Sequence, residues 1–211
     1  MLSVSGSGLK GAKDGSEKDG NEAGRHAPPS PGGPGVRPGE GPGVRVHDLV
    51  VIGGGPAGLA TAIRARLAGF DAAVVERFHP PIDKACGEGL MPDAVARLRE
   101  IGVDPPGFPF RGIRYVDGDL AAEGFFPQAG GLGVRRVQLH EALVRRAEET
   151  GVELLWGVSA QGLEADGVVT DRGKILARWI AGADGLLSRV RKWAGLEGGP
   201  GPIQRFGVRR H

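Results

Sequence analysis

The sequence predicts an α/β fold: a parallel sheet built on a βαβ unit, the beginning of an antiparallel sheet beside it, and an N-terminal tail without regular structure. Three observations predict it. A short apolar run, His47-Asp48-Leu49-Val50-Val51-Ile52, leads straight into a glycine turn. An alanine-rich segment follows in which Leu59, Ile63 and Leu67 recur every four residues, the mark of one helical face. A second run, Asp71-Ala72-Ala73-Val74-Val75-Glu76, ends in an acid. Such nearly continuous apolar runs are what strands covered by helices on both faces require.

Composition bounds the rest. Of 211 residues, 39 are Gly, and residues 1–45 alone hold 12 Gly and 6 Pro with only scattered apolar side chains. That stretch cannot bury enough surface to offset the entropy of ordering it, so it is expected to be a disordered tail. It also lacks the continuous apolar region of a secretory signal. The folded domain is expected over residues 46–211. No apolar run approaches the ~20 residues of a membrane span, so no transmembrane segment is expected. The single cysteine, Cys86, excludes an internal disulfide and fits a reducing, cytoplasmic compartment. The net charge is +2 with no strongly basic segment, so nucleic-acid binding has no electrostatic support. No metal site is expected.

The glycine turn carries the strongest chemical signal. Gly53-Gly54-Gly55-Pro56-Ala57-Gly58 is G-x-G-x-x-G between a strand and a helix. Gly53 permits the tight turn, Gly55 lets backbone approach a diphosphate with no Cβ in the way, and Gly58 allows close contact of helix and strand. The helix start, with Pro56 and Ala57, offers unpaired N–H groups and a positive dipole end to phosphates. Glu76 lies 18 residues after Gly58, where it can accept hydrogen bonds from ribose hydroxyls. Together these make a Rossmann-like dinucleotide-binding unit. An acid at position 76 disfavours a 2′-phosphate, so NADP is not expected there. NAD and FAD both remain chemically open.

A resemblance decides between them. The segment from Asp48 to Arg77, with its Gly-Gly-Gly-Pro-Ala-Gly wording and Ala62 four residues past the last glycine, resembles the FAD-binding start of flavoprotein oxidoreductases. Asp83-Lys84-Ala85-Cys86-Gly87-Glu88-Gly89-Leu90-Met91-Pro92 resembles a loop of the geranylgeranyl reductase-like branch of the p-hydroxybenzoate hydroxylase-type superfamily. The resemblance implies FAD as cofactor, held by Gly53, Gly55, Pro56, Ala57, Gly58, Glu76 and Arg77. It implies Cys86 and Gly87 near the flavin ring, with Lys84 and Glu88 at the edge of that site. It further implies a small-molecule substrate, isoprenoid or aromatic, and NAD(P)H as a candidate electron donor.

The remaining elements follow in order. Residues 93–101 suit a short helix with Ala94, Leu98 and Ile101 inward. Runs 112–116 and 120–126 flank Asp117-Gly118-Asp119, a hairpin signal that begins an antiparallel sheet. In the resembled family such a sheet helps form the substrate cavity. Residues 137–150 form a helix with Leu139, Leu143 and Ala147 on one face and the i,i+4 pairs Glu141–Arg145 and Arg145–Glu149 on another. By resemblance an Arg just before this helix reaches the FAD pyrophosphate; Arg135 is the candidate, with Arg136 left open. Residues 152–156 are expected as the third parallel strand. A further strand covers 158–165, and its start at Val158 contacts adenine in the family. A strand over 178–182 leads into Ala183-Asp184-Gly185-Leu186-Leu187-Ser188-Arg189-Val190-Arg191, which resembles the GADGxxSxVR fingerprint of flavoprotein hydroxylases. There Asp184 and Gly185 would help hold the pyrophosphate region, while an Asp-capped helix explains the same residues. His79 and His140 read as surface residues, and no side chain stands out as a general acid or base. Family members continue beyond this length, so the domain is expected to be incomplete at its C-terminus, with an NAD-linked dehydrogenase or a non-catalytic fragment as alternatives. The oligomeric state is not readable.

Overall fold

The structure, a computed structural model, describes residues 45–199. The expected tail and the final strand-like segment from Ile203 lie outside the described residues, apart from Arg45.

The chain opens with β1 (Val46–Ile52), α1 (Pro56–Leu67) and β2 (Ala72–Glu76). Two-residue β3 (Gly89–Leu90), α2 (Pro92–Glu100) and β4 (Phe108–Phe110) follow. The hairpin strands β5 (Gly112–Asp117) and β6 (Leu120–Phe125) precede β7 (Gly131–Gly133) and α3 (Arg136–Glu149). The chain then forms β8 (Glu153–Trp156), β9 (Ala160–Glu164), β10 (Gly167–Thr170), β11 (Gly173–Gly182) and α4 (Arg189–Trp193).

The main sheet has the order β8-β2-β1-β11-β10-β9. Its first four strands are parallel; β10 pairs antiparallel with β11, and β9 antiparallel with β10. The side-chain alternation of the strands sorts the core into two layers. Val51, Ala72 and Val74 join Leu59, Ile63, Leu143 and Ala147 beneath α1 and α3. Val50, Ile52, Ala73 and Val75 meet Val158, Val168 and Ala177 on the opposite face. The strands are therefore apolar at consecutive positions because both faces are covered. Gly69, at φ +87°, ends α1 in the left-handed conformation that glycine adopts without a Cβ penalty.

The expected α/β architecture is present, with an antiparallel part beside the parallel one. The hairpin of β5 and β6 turns at Gly118-Asp119, with Asp117 opposite Leu120 and Gly118 at φ +56°. Several details differ from expectation. Leu67 is 47% exposed, because two steps of four residues carry it about 80° around α1 from Leu59. In α2 the buried residue is Val95 rather than Ala94. On α3 the ion pair joins Arg146 to Glu149 at i,i+3. Strand β10 and the first half of β11 were not anticipated. They form across the turns Ala165-Asp166 and Asp171-Arg172, where Thr170 Oγ1 donates to Gly173 O (2.6 Å) and accepts from Arg172 N (3.1 Å). A small antiparallel sheet, β3-β7-β4, was also not anticipated. Its strands are Gly- and Pro-rich, with no alternation to announce them; pairing with distant partners makes them strands.

Candidate functional site: a cleft at the carboxyl end of the sheet

From β1 the chain passes to β2 and then β8 on one side, while β11 pairs on the other. The strand order therefore reverses between β1 and β11. In open α/β sheets the crevice at such a switch point, outside the carboxyl ends of the strands, is where ligands bind. A cleft of about 380 Å³ lies there, lined by the glycine turn, the end of β2, the start of α3 and the turn after β11.

The glycine turn is held by tight backbone contacts. Gly53 N donates to Val75 O (2.8 Å), and Ala183 N donates to Ile52 O (2.8 Å), so the turn is stitched to both flanking strands. Gly53 has φ +112°, and a Cβ there would sit 2.4 Å from Ala183 O. A Cβ at Gly58 would sit 1.8 Å from Gly53 O, which is the close approach of helix to strand in atomic terms. Gly55 is different in kind. A Cβ there would meet nothing nearer than Arg136 Nη2 at 3.8 Å, so no protein atom demands a glycine. The open space lies at the N-cap of α1, where no side chain caps the helix and no acid sits in the first turn. The first amides of α1 thus lack a side-chain acceptor, as an anion site requires.

Glu76 is 8% exposed at the end of β2. Its Oε2 accepts from Gly54 N (2.8 Å) and its Oε1 from Phe78 N (3.0 Å). The carboxylate therefore fixes the turn as well as bordering the cleft. Gly54 itself is a requirement that sequence reasoning missed: a Cβ would lie 2.5 Å from the Trp156 ring.

Of the other expected site residues, Pro56, Ala57, Arg77, Val158, Asp184 and Gly185 line the cleft with Gly53, Gly55 and Glu76. Gly58 is buried behind the turn. Arg135 is exposed and is not among the cleft-lining residues; Arg136, the residue the sequence left open, lines the cleft, one residue on and about 100° around the helix. The Arg136 Nε is buried with no hydrogen-bond partner. Its backbone N donates to Glu88 Oε1 (2.9 Å), so Glu88, at φ +51°, braces the start of α3. Cys86 and Gly87 are likewise not among the lining residues; their loop reaches the cleft through Lys84 and Ala85. The Asp184 carboxylate accepts from Ser188 Oγ (2.6 Å), Arg189 N (2.6 Å) and Val190 N (3.1 Å). Burial alone would raise this carboxyl; those three hydrogen bonds hold it below the usual carboxylate range. In this arrangement Asp184 organises the turn into α4. Arg77, Lys84, Arg136 and Arg189 outnumber Glu76 and Asp184 around the cleft, a balance suited to a polyanion.

His140 is a correction. It is fully buried, not a surface residue. Its Nε2 donates to Gly54 O (2.8 Å), and its ring lies 6.1 Å from that of Trp156. Leaving water lowers its affinity for a proton: burial pushes the imidazole below the ordinary histidine range.

These features define an α/β domain, its long helices on one face of the sheet, with a cleft suited to a dinucleotide. The residues present fit an FAD diphosphate by two tests made on the chain itself: the open side of Gly55 and the orphaned Nε of Arg136. Comparison with known proteins agrees. The family model described as FAD binding domain matches residues 48–184. The chain is 32% identical to the menaquinone reductase of Mycobacterium tuberculosis, over 69% of this chain and 40% of the relative. It is 30% identical to digeranylgeranylglycerophospholipid reductase 2 of Methanosphaera stadtmanae, over 71% of this chain and 42% of the relative. The solved structure of 2-methyl-3-hydroxypyridine-5-carboxylic acid oxygenase superposes with a TM-score of 0.61 at 26% identity, covering 72% of this chain and 43% of that one.

The chain belongs to the FAD binding domain family, within the flavoprotein superfamily. It spans 40–42% of the length of the two curated relatives it matches here. Among the described residues, no helix is long and apolar enough to cross a membrane.

Proposed function

We propose that this chain holds FAD for an oxidoreductase of the geranylgeranyl reductase-like branch, acting on an isoprenoid or aromatic small molecule with NAD(P)H as electron donor. A reducing, cytoplasmic setting belongs to the same reading, on the strength of the lone Cys86. Flavin, when bound, supplies hydride and electron transfer at its ring; the protein's part is binding, orientation and tuning.

The observation that carries the reading is the glycine turn with one side empty. Gly53, Gly54 and Gly58 are each required by a protein atom that a Cβ would strike, whereas Gly55 faces open space beside Arg136. At the uncapped start of α1, a position with no Cβ and open space beside it lets a diphosphate approach the backbone. In this reading the Ala57 and Gly58 amides and Arg136 take the diphosphate. Glu76 takes the ribose with the lone pairs not used by Gly54 and Phe78. Val158 borders the adenine, and Arg77, Asp184 and Gly185 close the cleft. Cys86 and Gly87 stand on the loop expected near the flavin ring.

The test is a titration of the purified chain with FAD, followed by absorbance at about 450 nm and by quenching of flavin fluorescence. Saturable binding supports the reading. Tight NAD binding with no flavin uptake, or no binding of either, overturns it. Trials of reduced nicotinamides against the loaded protein then address the donor.

A further inference from the structure

One buried imidazole ties together three elements of the cleft. His140 sits one helical turn after Arg136 on α3, so both lie on the face turned toward the glycine loop. A carbonyl oxygen only accepts, so the 2.8 Å contact to Gly54 O requires a proton on Nε2. On the other side of the ring, Ile82 N donates to Nδ1 at 3.4 Å, so Nδ1 must be unprotonated. Both bonds exist together only in the neutral Nε2–H tautomer. Ile82 is 5% exposed and belongs to the loop that brings Lys84 and Ala85 to the cleft.

The Gly54 residue is thereby held from both sides, its N–H by Glu76 and its carbonyl by His140. In a planar trans peptide the C=O and the following N–H point in opposite directions. Anchoring the Gly54 carbonyl to the buried ring therefore turns the Gly55 N–H away from it. Glycine has little rotational preference of its own at this point, so the orientation must come from outside the turn.

We propose that His140 is a positioning residue: its Nε2–H sets the Gly54–Gly55 peptide so that the Gly55 amide is presented to the cofactor's diphosphate. This rests on the cofactor reading above. An imidazolium would carry two donors and no acceptor, so its Nδ1–H would face the Ile82 N–H and break the tie to the loop. The groups facing the ring are Arg136 and Glu141 from its own helix and Glu76 from the end of β2; Gly54, Ile82 and Trp156 do not titrate. Burial, the largest influence, keeps the neutral form in place through the ordinary histidine range.

The test compares His140→Gln, whose amide can donate to Gly54 O, with His140→Leu, which cannot. FAD affinity is measured by titration, and the Gly55 amide resonance is followed in nitrogen-15-labelled, cofactor-free protein. The Leu variant is expected to bind FAD about 10-fold more weakly, since a buried carbonyl loses its donor, and to shift the Gly55 resonance. The Gln variant is expected to restore both. An unchanged Gly55 resonance and affinity in the Leu variant would overturn the proposal, as would a Gln variant that behaves like Leu. Should the Leu variant not fold, the Gln variant decides: a Gly55 resonance and an FAD affinity that both depart from wild type although the protein is folded refute the role. If wild type takes up no flavin, the cofactor reading fails, and the Gly55 resonance still tests the positioning.

Discussion

Two alanine substitutions three residues apart separate folding from binding in this turn. At Gly58 a methyl group would lie 1.8 Å from Gly53 O, inside the 3.0 Å approach that real Cβ atoms essentially never breach. The atom it strikes is backbone, and that backbone is stitched to Val75 and, through Ala183, to β11. No side chain can swing aside, so helix α1 or the turn must move against a packed core. Overpacking of this kind costs typically about 1–3 kcal/mol, and more where nothing can relax. Alanine offsets about 1 kcal/mol of that through its better helix propensity. The expected net loss for Gly58→Ala is about 2 kcal/mol, or about 4–8 °C in Tm for a domain of this size. At Gly55 the backbone is at φ −74° and ψ 178°, which any residue adopts, and the nearest atom to a methyl is 3.8 Å away. Gly55→Ala should leave stability within about 0.5 kcal/mol, the usual range for a surface change. It should nonetheless weaken FAD binding by about tenfold or more, or about 1.4 kcal/mol, because the methyl occupies the diphosphate's approach. Urea melts give the first quantity and flavin titration the second. A Gly58→Ala protein as stable as wild type, or a well-folded Gly55→Ala protein with undiminished FAD affinity, would refute the reasoning.

Other outcomes follow from single contacts. Arg136→Gln is expected to lower FAD affinity about tenfold while Arg135→Gln changes it less than about twofold, a contrast read by the same titration; a charge-assisted bond to phosphate is worth about 1.5–3 kcal/mol. Glu76→Gln keeps an acceptor for the Gly54 N–H but turns an NH2 toward the Phe78 N–H, so a urea melt should show a loss of about 1–2 kcal/mol, while FAD binding weakens further through the loss of charge at the ribose; an unfolded variant would show that the carboxylate's main role is structural. Asp184→Asn should cost about 1 kcal/mol in a urea melt near neutral pH, because one of the two oxygens that accept from Ser188 Oγ, Arg189 N and Val190 N becomes an NH2. Because the Asp184 carboxyl is held below its usual range in the folded protein, its contribution is complete above the unfolded value of about 3.9 and fades as pH falls through the folded one. The Asn variant and wild type should therefore converge in stability at strongly acid pH, and a gap that persists there would contradict the assignment.

The sequence alone determined the βαβ unit because its signals are local. The run 47–52, the glycine turn, the alanine helix and the strand ending in Glu76 are contiguous, and each follows from backbone period or from the absence of a Cβ. The hairpin about Gly118 and the helix before Gly151 were readable for the same reason. Tertiary structure decided the rest. Whether Arg135 or Arg136 enters the cleft depends on the rotation of α3. Arg136, His140 and Leu143 fall at i, i+4 and i+7, a spacing that could have marked both the arginine and the buried histidine. The strands β3, β4 and β7 exist only through pairing between distant segments, which no local pattern records. Gly54 looked like a free position in the motif until the ring of Trp156, from β8, closed over it. Local sequence sets the conformation of a turn; only the packing of distant elements sets which side of it is open, and the open side of Gly55 is where the cofactor argument rests.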